Sequence, residues 1–277
     1  MLIALRDGLR LHVRDRGHGP PLLLLHGFMG SSQAWGEAVL EPLAAGNRVL
    51  AVDLLGHGLS DGPARPERFA FPEILSDLID LLDALDIPRA AWIGYSMGGR
   101  LALGAAVLHP ERVDRLVLES ASPGLETEGE RSARREHDEA LARQLLDHGI
   151  EDFVDYWDRL PLFATRRRLP GGLLAWHRAA RLKLPPRSLA ACLRGLGTGA
   201  QPSFWDALGT VRHPTLLING EEDAKFRGIA TRMTSLMPAA SHMVIPAAGH
   251  TVHLENPAGW TDAVLEFRGR DHGWLRG

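Results

Sequence analysis

The feature that most constrains this chain is a repeated alternation. Short aliphatic runs, each closed by glycine, serine or asparagine, are separated by segments of helix length. The runs are Leu22 to Leu25, Arg48 to Asp53, Ala90 to Gly94, Arg115 to Glu119, Pro214 to Ile218 and His242 to Ile245. Each has the length and near-continuous apolar character of a strand buried on both faces. Between them, Pro72 to Leu85 sets Ile74, Leu78, Leu81, Leu82 and Leu85 at helical spacing, and Met97 to Leu108 and Pro257 to Phe267 read alike. Strand–helix alternation predicts an α/β protein with a mostly parallel sheet. Functional groups in such sheets gather beyond the carboxyl ends of the strands, and most of the unusual residues here sit there.

The rhythm stops once. From about Pro123 to Trp205 the chain is helical, rich in arginine and punctuated by Pro161, Pro170, Gly171, Gly172, Pro185 and Pro186. It is expected to form a helical lid, residues 123–205, inserted into a core of residues 1–122 and 206–277. Residues 131–187 hold 12 Arg and Lys against 8 Asp and Glu, in a chain whose 31 basic and 34 acidic residues leave a formal charge of -3. That near balance gives no global field for nucleic acid or an anionic membrane. The charged amino terminus lacks a secretory h-region, and Leu22 to Leu25 is far too short for membrane insertion. Cys192, the single cysteine, fits a reducing compartment, so a cytoplasmic location is expected. The tail after Phe267 shows no clear pattern and is expected to fray.

Gly94-Tyr95-Ser96-Met97-Gly98 follows a strand and opens a helix, the context in which G-x-S-x-G forms a nucleophile elbow. Small residues two before and two after the serine let strand and helix approach. An acid and then a histidine should follow. Asn219-Gly220-Glu221-Glu222-Asp223 closes one strand, and Ala248-Gly249-His250 follows the next. Asp223 lies deepest in its loop, with Glu221 and Glu222 as competitors. Most of the 13 histidines are expected at the surface; His250 stands out after its glycine, with His253 as rival. The order Ser96, Asp223, His250 is that of α/β-hydrolases, which the chain resembles from residue 22 to 260. Two backbone N–H groups should form an oxyanion hole, from Met97 after the serine and from Phe28 in His26-Gly27-Phe28-Met29-Gly30. The run from Asp53 through Gly56-His57-Gly58 to Asp61 is assigned a structural role.

The fold does not decide the reaction. Arg100, one turn after Ser96, puts a cation where the helix dipole disfavours it, which an anionic ligand would offset. Gly94 to Arg100, Glu119-Ser-Ala-Ser-Pro-Gly-Leu125 with Arg131 and Arg134, and Gly220 to Arg227 with Lys225 resemble the SHCHC synthase family of menaquinone biosynthesis. Ala248-Gly-His250 and Glu255-Asn-Pro-Ala258 extend the likeness over nearly the whole chain. The resemblance implies a lyase that eliminates pyruvate from a small-molecule tricarboxylate. It implies substrate contacts from Tyr95, Arg100, Arg131, Arg134, Trp157, Arg181 and Lys225. Such a substrate needs several cationic partners. After Arg181 the chain departs from the family pattern, with Pro185-Pro186 in place of a polar stretch. Arg166-Arg167-Arg168 is expected to be a solvated face. No His/Cys cluster has metal-ligand spacing, so no metal or organic cofactor is expected. The core motifs alone would equally suit a serine carboxylesterase or thioesterase.

Overall fold

The computed structural model describes residues 1–269. Residues 270–277, most of the tail expected to fray, lie outside the described residues. Eight strands make one sheet: β1 (Leu2–Ala4), β2 (Arg10–Arg16), β3 (Pro21–Leu25), β4 (Arg48–Asp53), β5 (Ala90–Tyr95), β6 (Val113–Glu119), β7 (Thr215–Gly220) and β8 (Ala240–Ile245). Their order is β1-β2-β4-β3-β5-β6-β7-β8. The pairs β1·β2 and β2·β4 are antiparallel and the others parallel. All six strands expected from the sequence form, with ends displaced by two residues at most. Strands β1 and β2 carry no such apolar run. In β2 only Leu11 and Val13 are buried, alternating with half-exposed His12 and Arg14, so its apolar signal is diluted at the sheet edge.

The parallel strands read as unbroken apolar runs because both of their faces are covered. In β3, Leu23 and Leu25 enter a core with α2 (Phe71–Ala84), α3 (Met97–Leu108) and α7 (Ala224–Leu236). Leu22 and Leu24 enter the opposite core with α1 (Gly36–Ala44) and α9 (Pro257–Gly269). Leu24 is fully buried, so Leu24→Ala is expected to cost about 2–5 kcal/mol of stability.

Between β6 and β7 every regular element is helical. α4 (Glu128–Arg159) starts on a capping box between Thr127 and Glu130 and breaks at Gly149, whose φ of 86° favours glycine. A 3-10 stretch (Pro161–Arg168), α5 (Gly171–Arg181) and α6 (Pro186–Leu196) follow, with prolines at or just before their starts. α4, α6 and the turn between α5 and α6 share an apolar cluster that includes Leu141, Phe153, Leu184 and Leu189, and it reaches the β3 loop through Met29. Among the described residues no helix is long and apolar enough to cross a membrane.

Candidate active site

Ser96 sits between β5 and α3 with φ 50° and ψ -107°, a conformation that costs a non-glycine residue about 1–3 kcal/mol. The surroundings hold it there. Its N–H donates to the Glu119 carbonyl at 2.8 Å, and its carbonyl accepts from the Arg100 N–H at 3.0 Å. The flanking glycines are required by space: a Cβ on Gly94 would collide with the Gly98 carbonyl, and one on Gly98 with the Leu25 carbonyl. The strained serine is therefore a local consequence of the motif's spacing.

Asp223 ends the β7 loop as the N-cap of α7, its Oδ1 accepting from the Phe226 N–H at 3.3 Å. Its Oδ2 faces Nδ1 of His250 at 2.7 Å, and His250 Nε2 faces Ser96 Oγ at 3.3 Å. His250 lies between β8 and the short α8 (Val252–Glu255), in a turn tied by Glu255, which accepts the N–H groups of Gly249 and Thr251 at 2.9 and 3.1 Å. Phe226, Phe163 and Tyr95 pack around its ring. The competitors point elsewhere. Glu221 and Glu222 are exposed, Glu222 pairing with Arg168 at 2.6 Å. His253 is buried against Glu119, with Nδ1 2.9 Å from both carboxylate oxygens. The expectation of mostly surface histidines needs correction: within residues 1–269 five are buried and three are exposed.

The β3 loop is fixed by His26. Its Nδ1 lies 2.7 Å from the Gly27 carbonyl, and its Nε2 accepts the Leu54 N–H at 3.0 Å. Burial lowers its pKa, consistent with this neutral arrangement. The His26 carbonyl accepts the Gly98 N–H at 3.1 Å, tying this loop to the elbow. Among the described residues, neither the Phe28 nor the Met97 N–H takes a protein acceptor. Asp53 and His57 brace the loops, Asp53 accepting the N–H groups of Ser32 and Leu59 at 2.5 and 2.9 Å.

A cavity of about 370 Å³ opens beside this line, with Gly27, Phe28, Tyr95 and Thr251 on its core side. Tyr95 hydrogen-bonds Thr251 at 3.1 Å, and burial raises its phenol pKa. From the helical side come Trp157, packed on Phe28 and Phe153, and Arg181, paired at two points with Asp158. His253 lines it as well, whereas Ser96, Met97, Asp223, His250, Arg100, Arg131, Arg134 and Lys225 stand outside the residues that line it. Arg100 is buried, neither reaching solvent nor pairing with a carboxylate. It donates to Gln201 Oε1 at 2.8 Å and to the Leu196 carbonyl at 3.0 Å. Burial, with Arg134 nearby, lowers its pKa to about 10. Arg134 pairs with Asp138 at 2.8 Å, and Arg131 with Glu128 at 2.9 Å while capping the Leu125 and Glu126 carbonyls. Lys225 is exposed, its ammonium 5.6 Å from the Phe226 ring centroid.

Two residues of this cavity escaped the sequence reading. Arg166 is no part of a solvated face: Arg167 and Arg168 are exposed, but Arg166 turns inward with 12% of its side chain accessible and lines the cavity. His177 lines it too, on α5. Adjacent arginines carry no sign of which one faces in, and an isolated histidine in an Arg-rich helix carries none either.

A serine elbow, an acid and a histidine at the ends of β5, β7 and β8 define an α/β-hydrolase-fold protein, and residues 20–257 match the family model for the alpha/beta hydrolase fold. A Bacillus subtilis (strain 168) protein provisionally named 2-succinyl-6-hydroxy-2,4-cyclohexadiene-1-carboxylate synthase is 41% identical over 96% of this chain and 97% of its own. The Enterobacter sp. (strain 638) protein of that name, without the qualification, is 34% identical over 86% and 88%. A solved structure of MenH from S. aureus superposes with a TM-score of 0.87 at 35% identity, covering 94% of this chain and 97% of its own. The chain belongs to the 2-succinyl-6-hydroxy-2,4-cyclohexadiene-1-carboxylate (SHCHC) synthase family.

Proposed function

We infer that the chain is a carbon–oxygen lyase of menaquinone biosynthesis. It eliminates pyruvate from 2-succinyl-5-enolpyruvyl-6-hydroxy-3-cyclohexene-1-carboxylate to give SHCHC. What carries the reading is one coincidence. The Ser96–His250–Asp223 line adjoins, through Tyr95 and Thr251, a cavity with guanidinium groups on its wall, in a chain 41% identical to a protein named for this synthesis.

In this reading His250 takes the proton of Ser96, and Asp223 holds the imidazole and stabilises the imidazolium. The 3.3 Å between Oγ and Nε2 keeps the two atoms within reach of that transfer. The alkoxide removes the ring proton next to the succinyl ketone, so that proton ends on Oγ. The N–H groups of Phe28 and Met97 hold the enolate oxygen, each worth on the order of 100- to 1000-fold in rate. The electrons re-form the ketone and shift into a ring double bond as the C–O bond to the enolpyruvyl group breaks. The departing enolate takes the proton from His250 and becomes pyruvate. Serine thus acts as a base, and no acyl-enzyme forms.

Residues 123–205 serve as a lid. Their apolar cluster meets the core at Phe28 and Met29, so lid placement and the donor loop are mechanically joined. Arg100, Arg134, Arg181 and Lys225 supply positive charge for a tricarboxylate, Tyr95 and Trp157 form the cavity wall, and Arg131 secures the start of α4. The test is mass spectrometry of the intact protein quenched during turnover. Unmodified protein alongside accumulating pyruvate is expected. An acyl adduct on Ser96 would instead assign the chain to the ester-cleaving chemistry of the same fold.

A further inference from the structure

Arg166, Arg181 and Asp158 meet where the 3-10 stretch, α5 and the end of α4 converge, and both arginines line the cavity. Asp158 accepts from the two terminal nitrogens of Arg181 at 2.5 and 2.7 Å. Arg166 approaches the same carboxylate only to 3.8 Å, outside hydrogen-bonding distance. Its guanidinium lies 5.4 Å from the Phe163 ring centroid, and its buried Nε has no protein partner among the described residues. Glu255 also acts on Arg166 electrostatically, but its oxygens already hold the Gly249 and Thr251 N–H groups. His177 lines the same cavity at 8% exposure, and its buried Nε2 likewise has no partner among the described residues.

Two guanidinium groups thus share one carboxylate, which leaves a buried positive charge without a full counter-ion in the same cavity as a second orphan polar atom. Buried charges are ordinarily paired, and buried polar atoms ordinarily hydrogen-bonded. The exception faces a cavity next to the reacting groups. Phe163 meets the His250 ring edge-on at 5.7 Å, and the Thr165 side chain fills the space above Gly249.

We propose that Arg166, with Nε2 of His177 beside it, is a carboxylate-binding pair that sets the preference of this cavity for anionic substrates. The inference deepens the lyase reading and rests on it: of the other cations that line the cavity, Lys183 offers one ammonium group and Arg181 has its charge met by Asp158, fewer free partners than a tricarboxylate needs. Arg166 takes the incoming carboxylate through the planar donors that Asp158 leaves unused, and His177 donates from Nε2 in the matching tautomer. Burial and the neighbouring Arg166 hold His177 neutral, with a pKa lowered to about 4, so the free site does not gather a third charge.

The experiment compares Arg166→Gln with Arg167→Gln, the exposed neighbour, using succinate as a dicarboxylate probe. Binding is read by tryptophan fluorescence, since Trp157 and Trp176 line the cavity. Arg166→Gln is expected to raise the succinate Kd tenfold or more and leave the free protein's melting temperature equal or higher. Arg167→Gln is expected to change neither. For the enolpyruvyl tricarboxylate, Arg166→Gln raises KM at least tenfold with kcat within threefold, while KM for an uncharged ester is unchanged. Arg166→Lys keeps the charge but loses the planar donors, so its Kd rises at least threefold; it carries the test should the Gln variant not fold. Unchanged Kd and KM in Arg166→Gln, a fall of several degrees in its melting temperature, or no succinate binding by the wild type would overturn the proposal. Pyruvate release by the wild type together with binding indifferent to Arg166 removes this inference alone. Binding that depends on Arg166 without pyruvate release removes the lyase reading and leaves the carboxylate pair standing.

Discussion

The strand ends and the helical segment face the same cavity and are held in place by different means. On the core side, positions are set by backbone: Ser96 by its place between Gly94 and Gly98, Asp223 by capping α7, His250 by a turn tied through Glu255. On the helical side, Arg166, Arg181 and Trp157 arrive on long or bulky side chains whose destinations depend on how the helices pack. The contrast separates chemistry from selection. Charge develops at one atom in the reaction, which demands donors that do not reorganise. Anion recognition tolerates movable side chains, provided that charge and donors face inward.

The sharpest way to break this division is Ser96→Ala. Pyruvate release is expected to fall by about 10⁴-fold with the melting temperature nearly unchanged, because the substitution touches chemistry alone. Near-normal turnover would remove Ser96 from the mechanism. Asp223→Asn should come next, with kcat down by about 10³- to 10⁴-fold through loss of the imidazole's orientation. Its effect on KM should be small, since Asp223 faces His250 rather than the cavity.

Arg100 tests where the boundary runs. It is a buried cation on a core helix that reaches across to Gln201 and the Leu196 carbonyl. Arg100→Ala is expected to lower kcat/KM for the tricarboxylate by about 10- to 100-fold, the scale of one or two charge-assisted hydrogen bonds. A neutral ester should lose far less, as steady-state kinetics on both substrates would read. Equal losses would make Arg100 a brace between core and helices.

His177 gives the helical side its own pH signature. Its pKa is lowered to about 4 in the folded protein by burial and by Arg166, against about 6.5 in the unfolded chain. The unfolded state therefore binds the proton first as pH falls below that unfolded value, and the folded state loses stability down to pH 4. From pH 7 to pH 5 this group accounts for about 2 kcal/mol of lost unfolding free energy. Urea titrations at both pH values should find His177→Gln less acid-sensitive by that amount. An identical pH dependence in the variant would show His177 to be solvated. The smallest effect belongs to Lys225, which is exposed: Lys225→Ala should raise KM by no more than a fewfold.

The same contrast explains what could be read from sequence. Parallel strands such as Leu22 to Leu25 are legible because burial on both faces leaves a continuous apolar signature, whereas β2 hides its two core residues among charges. The serine elbow is legible because its constraints are local: two glycines and a helix start within five residues. Glu221, Glu222 and Asp223 are chemically alike, and the turn into α7 decides which carboxylate meets His250. Arg166 was misread because three consecutive arginines on a 3-10 stretch diverge. Only packing against Phe163 and the Gly249 turn determines which one faces inward.

This hydroxyl, histidine and carboxylate are expected to carry out an elimination on a multiply charged substrate. The most direct measurement is incubation of the wild-type protein with the enolpyruvyl tricarboxylate, following pyruvate by a coupled assay and the diene product by its absorbance. One pyruvate released per SHCHC formed, dependent on Ser96, is the expected result. Absence of pyruvate, with brisk hydrolysis of uncharged esters by the same preparation, would contradict it.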